Sequence, residues 1–242
     1  MPEKIFFSRS QQVLADVAEA EGIASLNTVN PSGLLRISAP LSFGISRLGE
    51  WLPEFVKRYP ELTLDLDLTD RMVDLAADGI DVAVRIARQP SITNVVVKKI
   101  APVKMLLCAS PEYLQRRGIP MHPTDLAKHD TVGFSYMDSG NTWAFTNDHG
   151  QSSVVNVRPR IYATNGDVLR EFAMRGLGVA IEPSFIVDKQ INDGSLVSIL
   201  EDWRLEEYNM YAIYLTRRFL PAKVRVFIDY LVEMERVAVQ QA

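Results

Sequence analysis

The sequence is poor in the residues that carry most protein chemistry. Its 242 residues include one cysteine and three histidines, and 26 Lys and Arg stand against 30 Asp and Glu for a formal net charge of −4. Affinity for nucleic acid comes from clustered basic side chains, so this mild acidity argues against a dedicated nucleic-acid binder. The lone Cys108 permits no intrachain disulfide. Its run Met105-Leu106-Leu107-Cys108-Ala109 reads as buried strand, with no His or Lys adjacent to activate the thiol. His122, His129 and His149 are too scattered for a metal motif, and no zinc pattern can be written with one cysteine. They are expected in solvated loops, and no metal or cofactor is expected.

Further absences narrow the function. No run approaches the ~18 apolar residues of a membrane span. The opening Met1-Pro2-Glu3-Lys4-Ile5-Phe6-Phe7-Ser8-Arg9 lacks the apolar stretch of about 7–15 residues of a secretion signal. A cytoplasmic protein without a membrane partner is the expectation. There is no Gly-x-Ser-x-Gly elbow and no phosphate-cradling Walker sequence. Gly176-Leu177-Gly178 opens like a dinucleotide fingerprint, but Ile181 stands where the third glycine belongs and a helix, not a first strand, precedes it. Asp65/Asp67 and Glu206/Glu207 read as solvated faces, because nothing nearby would split them into acid and base. An enzyme is therefore not expected.

What is present is ordinary globular material. Hydrophobic residues make up 47% and charged residues 23%, and the length suits one large domain or two lobes at ~100–150 residues each. Residues 10–21 carry Val13, Leu14, Val17 and Ala18 at helical spacing, and residues 25–33 read as a linker. Strand-like and helix-like segments then alternate: a strand over 34–39 and a helix over 43–59 with a kink or restart at Pro53. A strand over 62–69, a short helix over 71–77 ending at Gly79 and a strand over 80–85 follow. Later come strands at 95–97 and 103–109, and a helix at 111–116 with Ser110 as N-cap. Several short strands are expected between 130 and 162. Helices are expected after Thr164-Asn165 and Pro183, with a strand at 178–182 between them, then a strand at 210–216 and a helix at 221–236. This alternation predicts an α/β fold with a substantial parallel sheet.

In open parallel sheets ligands bind beyond the carboxyl ends of strands, where helix N-termini offer unpaired N–H groups. The loops in that position are Pro40-Leu41-Ser42-Phe43-Gly44, Thr69-Asp70-Arg71 and Arg85-Ile86-Ala87, with Thr164-Asn165-Gly166-Asp167 matching them in the second half. Ser42 reads equally as an N-cap or as a ligand contact. Arg85 offers a fork for a carboxylate, or a structural partner for Asp81 or Asp70.

Five blocks, in order, carry a resemblance: Leu35-Arg36-Ile37-Ser38-Ala39-Pro40, Phe55-Val56-Lys57-Arg58-Tyr59-Pro60, the run from Asp74 to Ile86, Ser110-Pro111-Glu112-Tyr113-Leu114, and Gly176-Leu177-Gly178-Val179-Ala180. Together they resemble the effector-binding domain of LysR-type transcriptional regulators over about residues 10–236. The resemblance implies a two-lobed type 2 periplasmic-binding-protein-like α/β fold with mixed, mostly parallel sheets. Lobe I would take residues 34–107 and 209–242, lobe II residues 108–208, and a linker helix and linker residues 1–33. It further implies homodimerisation, through the first long helix and following strand against the neighbour's second lobe. Effector contacts would fall at Ser42, Phe43, Arg85, Ile86 and Asn165, to which the loops add Gly166, Asp167 and Tyr136. A small organic or aromatic carboxylate is the most economical effector. The family's winged helix-turn-helix is expected to be lacking, so DNA would be reached only through a module absent from this chain. A transporter's solute-binding protein shares the fold and is the alternative.

Overall fold

The computed structural model describes residues 30–90, 92–137, 139–215 and 220–241; the helix expected at 10–21 lies outside them. The first sheet begins with β1 (Gly33–Ala39), whose alternating apolar residues Leu35 and Ile37 are wholly buried. A continuous helix α1 follows over residues 41–58, with Leu41–Phe43 and Gly49–Arg58 α-helical and a π turn at Gly44–Leu48 between them. Pro53 neither breaks nor ends it. A Cβ at Gly44 would meet the tip of the Leu68 side chain at 2.5 Å, so a larger residue there would push that leucine aside.

β2 (Leu62–Leu68) pairs with β1 in parallel from Gly33↔Leu62 to Ala39↔Leu68, and β3 (Val82–Ala87) joins the other side of β1, also in parallel. The short helix expected over 71–77 is not formed. Asp74 Oδ1 instead accepts from the N–H groups of Ala76 and Ala77, both at 3.0 Å, and a single turn closes at Gly79 with φ of +68°. A short acidic side chain that satisfies the backbone locally competes with helix propagation.

The chain next forms β4 (Val95–Val103), then β5 (Met105–Ala109) and the helix α2 (Pro111–Arg117), where Ser110 accepts from Tyr113 N–H as an N-cap should. β6 (Thr131–Phe134), β7 (Thr142–Asn147), β8 (Ser152–Asn156) and β9 (Pro159–Ala163) supply the short strands. The helix α3 (Gly166–Met174), β10 (Ala180–Pro183) and α4 (Ser184–Asn192) follow, then β11 (Val197–Ser198) and β12 (Trp203–Leu205). Finally β13 (Tyr208–Leu215) returns to the first sheet, and α5 (Ala222–Gln241) packs on it.

The first sheet has the order β2-β1-β3-β13-β4. The sheets are mixed, as the sequence suggests, but not mostly parallel. Among the described residues β1/β2, β1/β3 and β6/β9 are parallel, whereas six pairings are antiparallel. The reason is the chain's double passage between lobes, which inserts β13 antiparallel to both β3 and β4. All of β5 pairs with β10 and β11 of the second lobe, so the expected split after residue 107 cuts through a strand.

Each lobe has its own core. In the first, Phe55 meets Phe227 edge-on at 5.8 Å between α1 and α5. In the second, Trp143, Phe145, Val155 and Leu126 form one cluster and Cys108, Val132, Leu169 and Leu196 another. Cys108 has no exposure and burial pushes its thiol up to about 12, which makes it an inert packing residue.

One ion pair lies inside the first lobe. Lys223 Nζ donates to Asp81 Oδ2 at 2.8 Å and to the Leu34 carbonyl at 2.6 Å, while Arg36 N–H donates to the same carboxylate oxygen at 2.9 Å. Both side chains are over nine-tenths buried. Removing one partner would strand the other charge, so Lys223→Met is expected to lower the unfolding free energy by about 3 kcal/mol or more. Urea denaturation checks this, and a loss below about 1 kcal/mol would contradict the role given to the pair.

Candidate functional site

The carboxyl ends of the parallel strands β1, β2 and β3 open on one side of the first sheet, and the N-terminus of α3 faces them from the second lobe. Ser42 sits just after β1. The position before α1 is Pro40, with no side-chain cap, so Ser42 is not an N-cap. Its Oγ donates across the cleft to Asp167 Oδ2 at 2.6 Å and accepts from Asn165 Nδ2 at 3.1 Å. Asn165 is the N-cap of α3, its Oδ1 accepting from Val168 N–H at 3.3 Å. Asp167 Oδ1 in turn accepts from Arg170 Nη1 at 2.7 Å. One chain of polar contacts therefore ties the end of a strand in one lobe to a helix start in the other.

Gly166 is needed where it stands. A Cβ there would come within 2.6 Å of Glu182 Oε2 and 2.7 Å of Ile186 Cδ1, so its absence lets α3 close over β10. Glu182 is 2% exposed and its Oε1 finds no hydrogen-bond partner. Burial first, then the neighbouring carboxylates of Asp167 and Asp70, drive its pKa well above the ordinary range despite the attraction of Arg170.

Arg85 is 6% exposed, and its fork is already in use. Nη1 donates to the Val84 carbonyl at 2.7 Å, and Nη2 donates to Ser38 Oγ at 2.9 Å and the Arg71 carbonyl at 3.0 Å, while Nε is unpartnered. Among the described residues no carboxylate bonds to it: Asp81 is held by Lys223, and Asp70 acts through its field. Burial lowers the Arg85 pKa, with Asp70 and Asp67 opposing. Burial likewise raises the pKa of Asp70, partly offset by Leu41 N–H at 3.4 Å, Asn165 and Arg85.

The other expected residues are spread more widely. Phe43 is fully buried, wedged edge-on between Trp51 at 5.8 Å and Phe185 of the second lobe at 5.9 Å. It is a packing contact between lobes. Ile86 is half-buried against the first-lobe core. Tyr136 is 47% exposed and rests edge-on against Phe134 at 5.9 Å. The structure thus brings Ser42, Asn165, Gly166 and Asp167 together, with Arg85 behind them. Arg170 and Glu182 escaped sequence reasoning. A glutamate in the apolar run Gly178-Val179-Ala180-Ile181-Glu182 was the available signal for one of them. Two hollows lie elsewhere: a cavity of about 60 Å³ near Trp143 and Tyr162, and an open groove of about 720 Å³ between β4 and α5.

A sequence profile of the LysR substrate binding domain matches residues 29–236. The chain belongs to the LysR family of transcriptional regulators. Among similar curated proteins, the HTH-type transcriptional regulator PtxR of Pseudomonas aeruginosa is 32% identical, over 91% of this chain and 68% of its own length. The HTH-type regulator DmlR of Escherichia coli is 30% identical, over 92% and 72%. Of solved structures, the Vibrio cholerae virulence activator AphB superposes with a TM-score of 0.72 at 28% identity, covering 96% of this chain and 79% of that one. The CrgA regulatory domain of Neisseria meningitidis gives 0.71 at 28% identity, covering 84% and 98%.

The protein is thus the substrate-binding domain of a LysR-type regulator, and its relatives are regulators, not enzymes. That disfavours the transporter reading. Among the described residues no helix is long and apolar enough to cross a membrane, and no group of three His, Cys, Asp or Glu is placed to hold a metal ion.

The buried carboxyl at the floor of this LysR cleft has a measurable consequence. A glutamate whose folded pKa lies above its ordinary 4.5 binds more protons folded than unfolded, so its contribution is fully present below 4.5 and is lost as pH rises through the folded value. Glu182→Gln removes that dependence. It is expected to be more stable than the parent at pH 8, with the gap closing toward pH 4.5, as read by denaturation across that range; a gap independent of pH would contradict the assignment.

Proposed function

We propose that this LysR domain senses a small organic or aromatic carboxylate in the cleft between its lobes. The observation that carries the reading is the bridge from Ser42 to Asn165 and Asp167. It joins polar side chains of both lobes in direct hydrogen bonds, which supports a site where an effector changes how the lobes sit against each other. Ser42, Asn165, Gly166 and Asp167 form the polar contact, and Arg85 supplies positive potential from beneath. Phe43 and Ile86 form the packed wall and Tyr136 the exposed margin. Exposed apolar side chains adjoin the polar residues in the chain, Leu41 beside Ser42 and Val168 beside Asp167, which suits an effector with a hydrocarbon body. Ligand binding then shifts the population of lobe arrangements.

The lobes of this reading are residues 34–104 with 208–242, and 105–207, with the passages at Lys104 and Glu206-Glu207. The protein acts as a cytoplasmic homodimer, reaching DNA through a helix-turn-helix module of the kind its relatives' names record. The dimer is supported by exposed apolar side chains on adjoining elements, Val56 on α1 and Leu66 on β2.

A panel of aliphatic and aromatic carboxylates tests the effector class by thermal denaturation. A cognate member is expected to raise Tm by about 2–4 °C per kcal/mol of linkage, and Ser42→Ala to abolish the rise; a panel that leaves Tm unmoved counts against a carboxylate. For the dimer, sedimentation of the parent at micromolar concentration is expected to show two copies, and Val56→Glu with Leu66→Glu to give monomers. A monomeric parent would refute the assembly.

A further inference from the structure

Arg85 gives its terminal nitrogens to the Val84 and Arg71 carbonyls and to Ser38. Arg170, by contrast, already holds a carboxylate in the cleft, that of Asp167, besides contacts to the Ile186 carbonyl at 3.3 Å and Glu171 at 3.6 Å. Arg170 Nη1 and the Ser42 hydroxyl converge, at 2.7 and 2.6 Å, on the two oxygens of one carboxylate, that of Asp167. Asn165 Nδ2 donates to Ser42 Oγ at 3.1 Å, which occupies a lone pair and leaves the hydroxyl proton free for an anion. Ser42 is 5% exposed, but the Asp167 carboxylate between the two donors reaches solvent, with 33% of its side chain and 21% of the Arg170 side chain exposed. We propose that Ser42 and Arg170 form an anion subsite whose resident occupant is the chain's own Asp167, so that an effector carboxylate must displace this side chain to bind.

Asp167 is then an internal competitor and a latch. While it holds Ser42, the two lobes are tied at that point; when an external carboxylate takes its place, the tie passes to the ligand. An intramolecular competitor lowers apparent affinity by the fraction of time the subsite is free. If the latch is closed ~90% of the time, removing it tightens carboxylate binding about tenfold. The proposal rests on the cleft reading above only for the identity of the displacing ligand. The subsite itself is tested without it.

The test uses chemical rescue. Nitroxide labels on Lys57→Cys in α1 and Asn192→Cys at the end of α4, both exposed positions, report the distance between lobes, and buried Cys108 takes no label. Asp167→Ala is expected to broaden or lengthen this distance, and millimolar formate, small enough to fill the vacated place, to restore the parent distribution. Ser42→Ala is expected to lengthen the distance too, without rescue by formate, since a donor is missing. Asp167→Ser, polar and well suited to a first helical turn, replaces the alanine variant should that one not fold. An unchanged distance on removing the Asp167 carboxylate, or a lengthened one that formate does not restore, overturns the proposal. If formate rescues Asp167→Ala while the wider carboxylate panel shifts the Tm of neither parent nor variant, the subsite stands and the carboxylate-effector reading falls.

Discussion

The pairing of β13 with its two neighbours fixes everything else in this molecule. By entering between β3 and β4, it places the strand that returns from the second lobe beside the strand that leaves the first. Tyr208 lies opposite Val103, one residue before Lys104 and one after Glu207. Two passages held side by side by a sheet ladder resist sliding and twisting but allow bending about their common line. Away from that line the lobes meet through the Phe43 and Phe185 rings and the polar bridge at Ser42.

The cleft gathers three carboxyl groups and two guanidinium groups. Asp70, Asp167 and Glu182 face one another there, and against them stand Arg85 and Arg170. Removing charges from water is costly unless they are paired, and this site divides the difficulty. Asp167 is paired, Asp70 is partly hydrated and hydrogen-bonded, and Glu182 is held toward its neutral form by burial. Arg85, buried and bonded to two carbonyls and a hydroxyl, acts as a fixed positive charge below the cleft more than as a hand reaching into it.

Much of the fold could be read from residue order alone, because its signals are local. Leu35 and Ile37 alternate as a half-buried strand should, Ser110 and Asn165 cap the helices they precede, and the apolar face of residues 224–231 is buried against the first sheet. What escaped depends on partners distant in sequence. β4 carries Lys98, Lys99 and Pro102, a composition suited to a sheet edge, so its polar middle concealed one continuous strand. Periodicity suggested a helix after Arg71, but the Asp74 carboxylate captured the N–H groups that a helix would have used. At the site, the loops named Ser42, Asn165 and Asp167 correctly as neighbours across the cleft. Spacing could not reveal that Arg85 bonds to two carbonyls and the Ser38 hydroxyl, or that Arg170, one turn into α3, would bond to Asp167.

The sequence of β2 has a consequence for how copies of this chain can meet. Leucines at 64, 66 and 68 alternate with Asp65 and Asp67, and Arg36 on β1 makes an exposed ion pair with Asp65, Nε to Oδ2 at 3.2 Å. Were two copies to join these open edges antiparallel about Leu66, each Asp65 would lie opposite an Asp67, and like charges in that position disfavour the ladder. Copies are therefore steered toward contact through side chains, and away from fusing their sheets into an endless ribbon. Charges placed this way on an outer strand of the described sheet work against edge-to-edge aggregation.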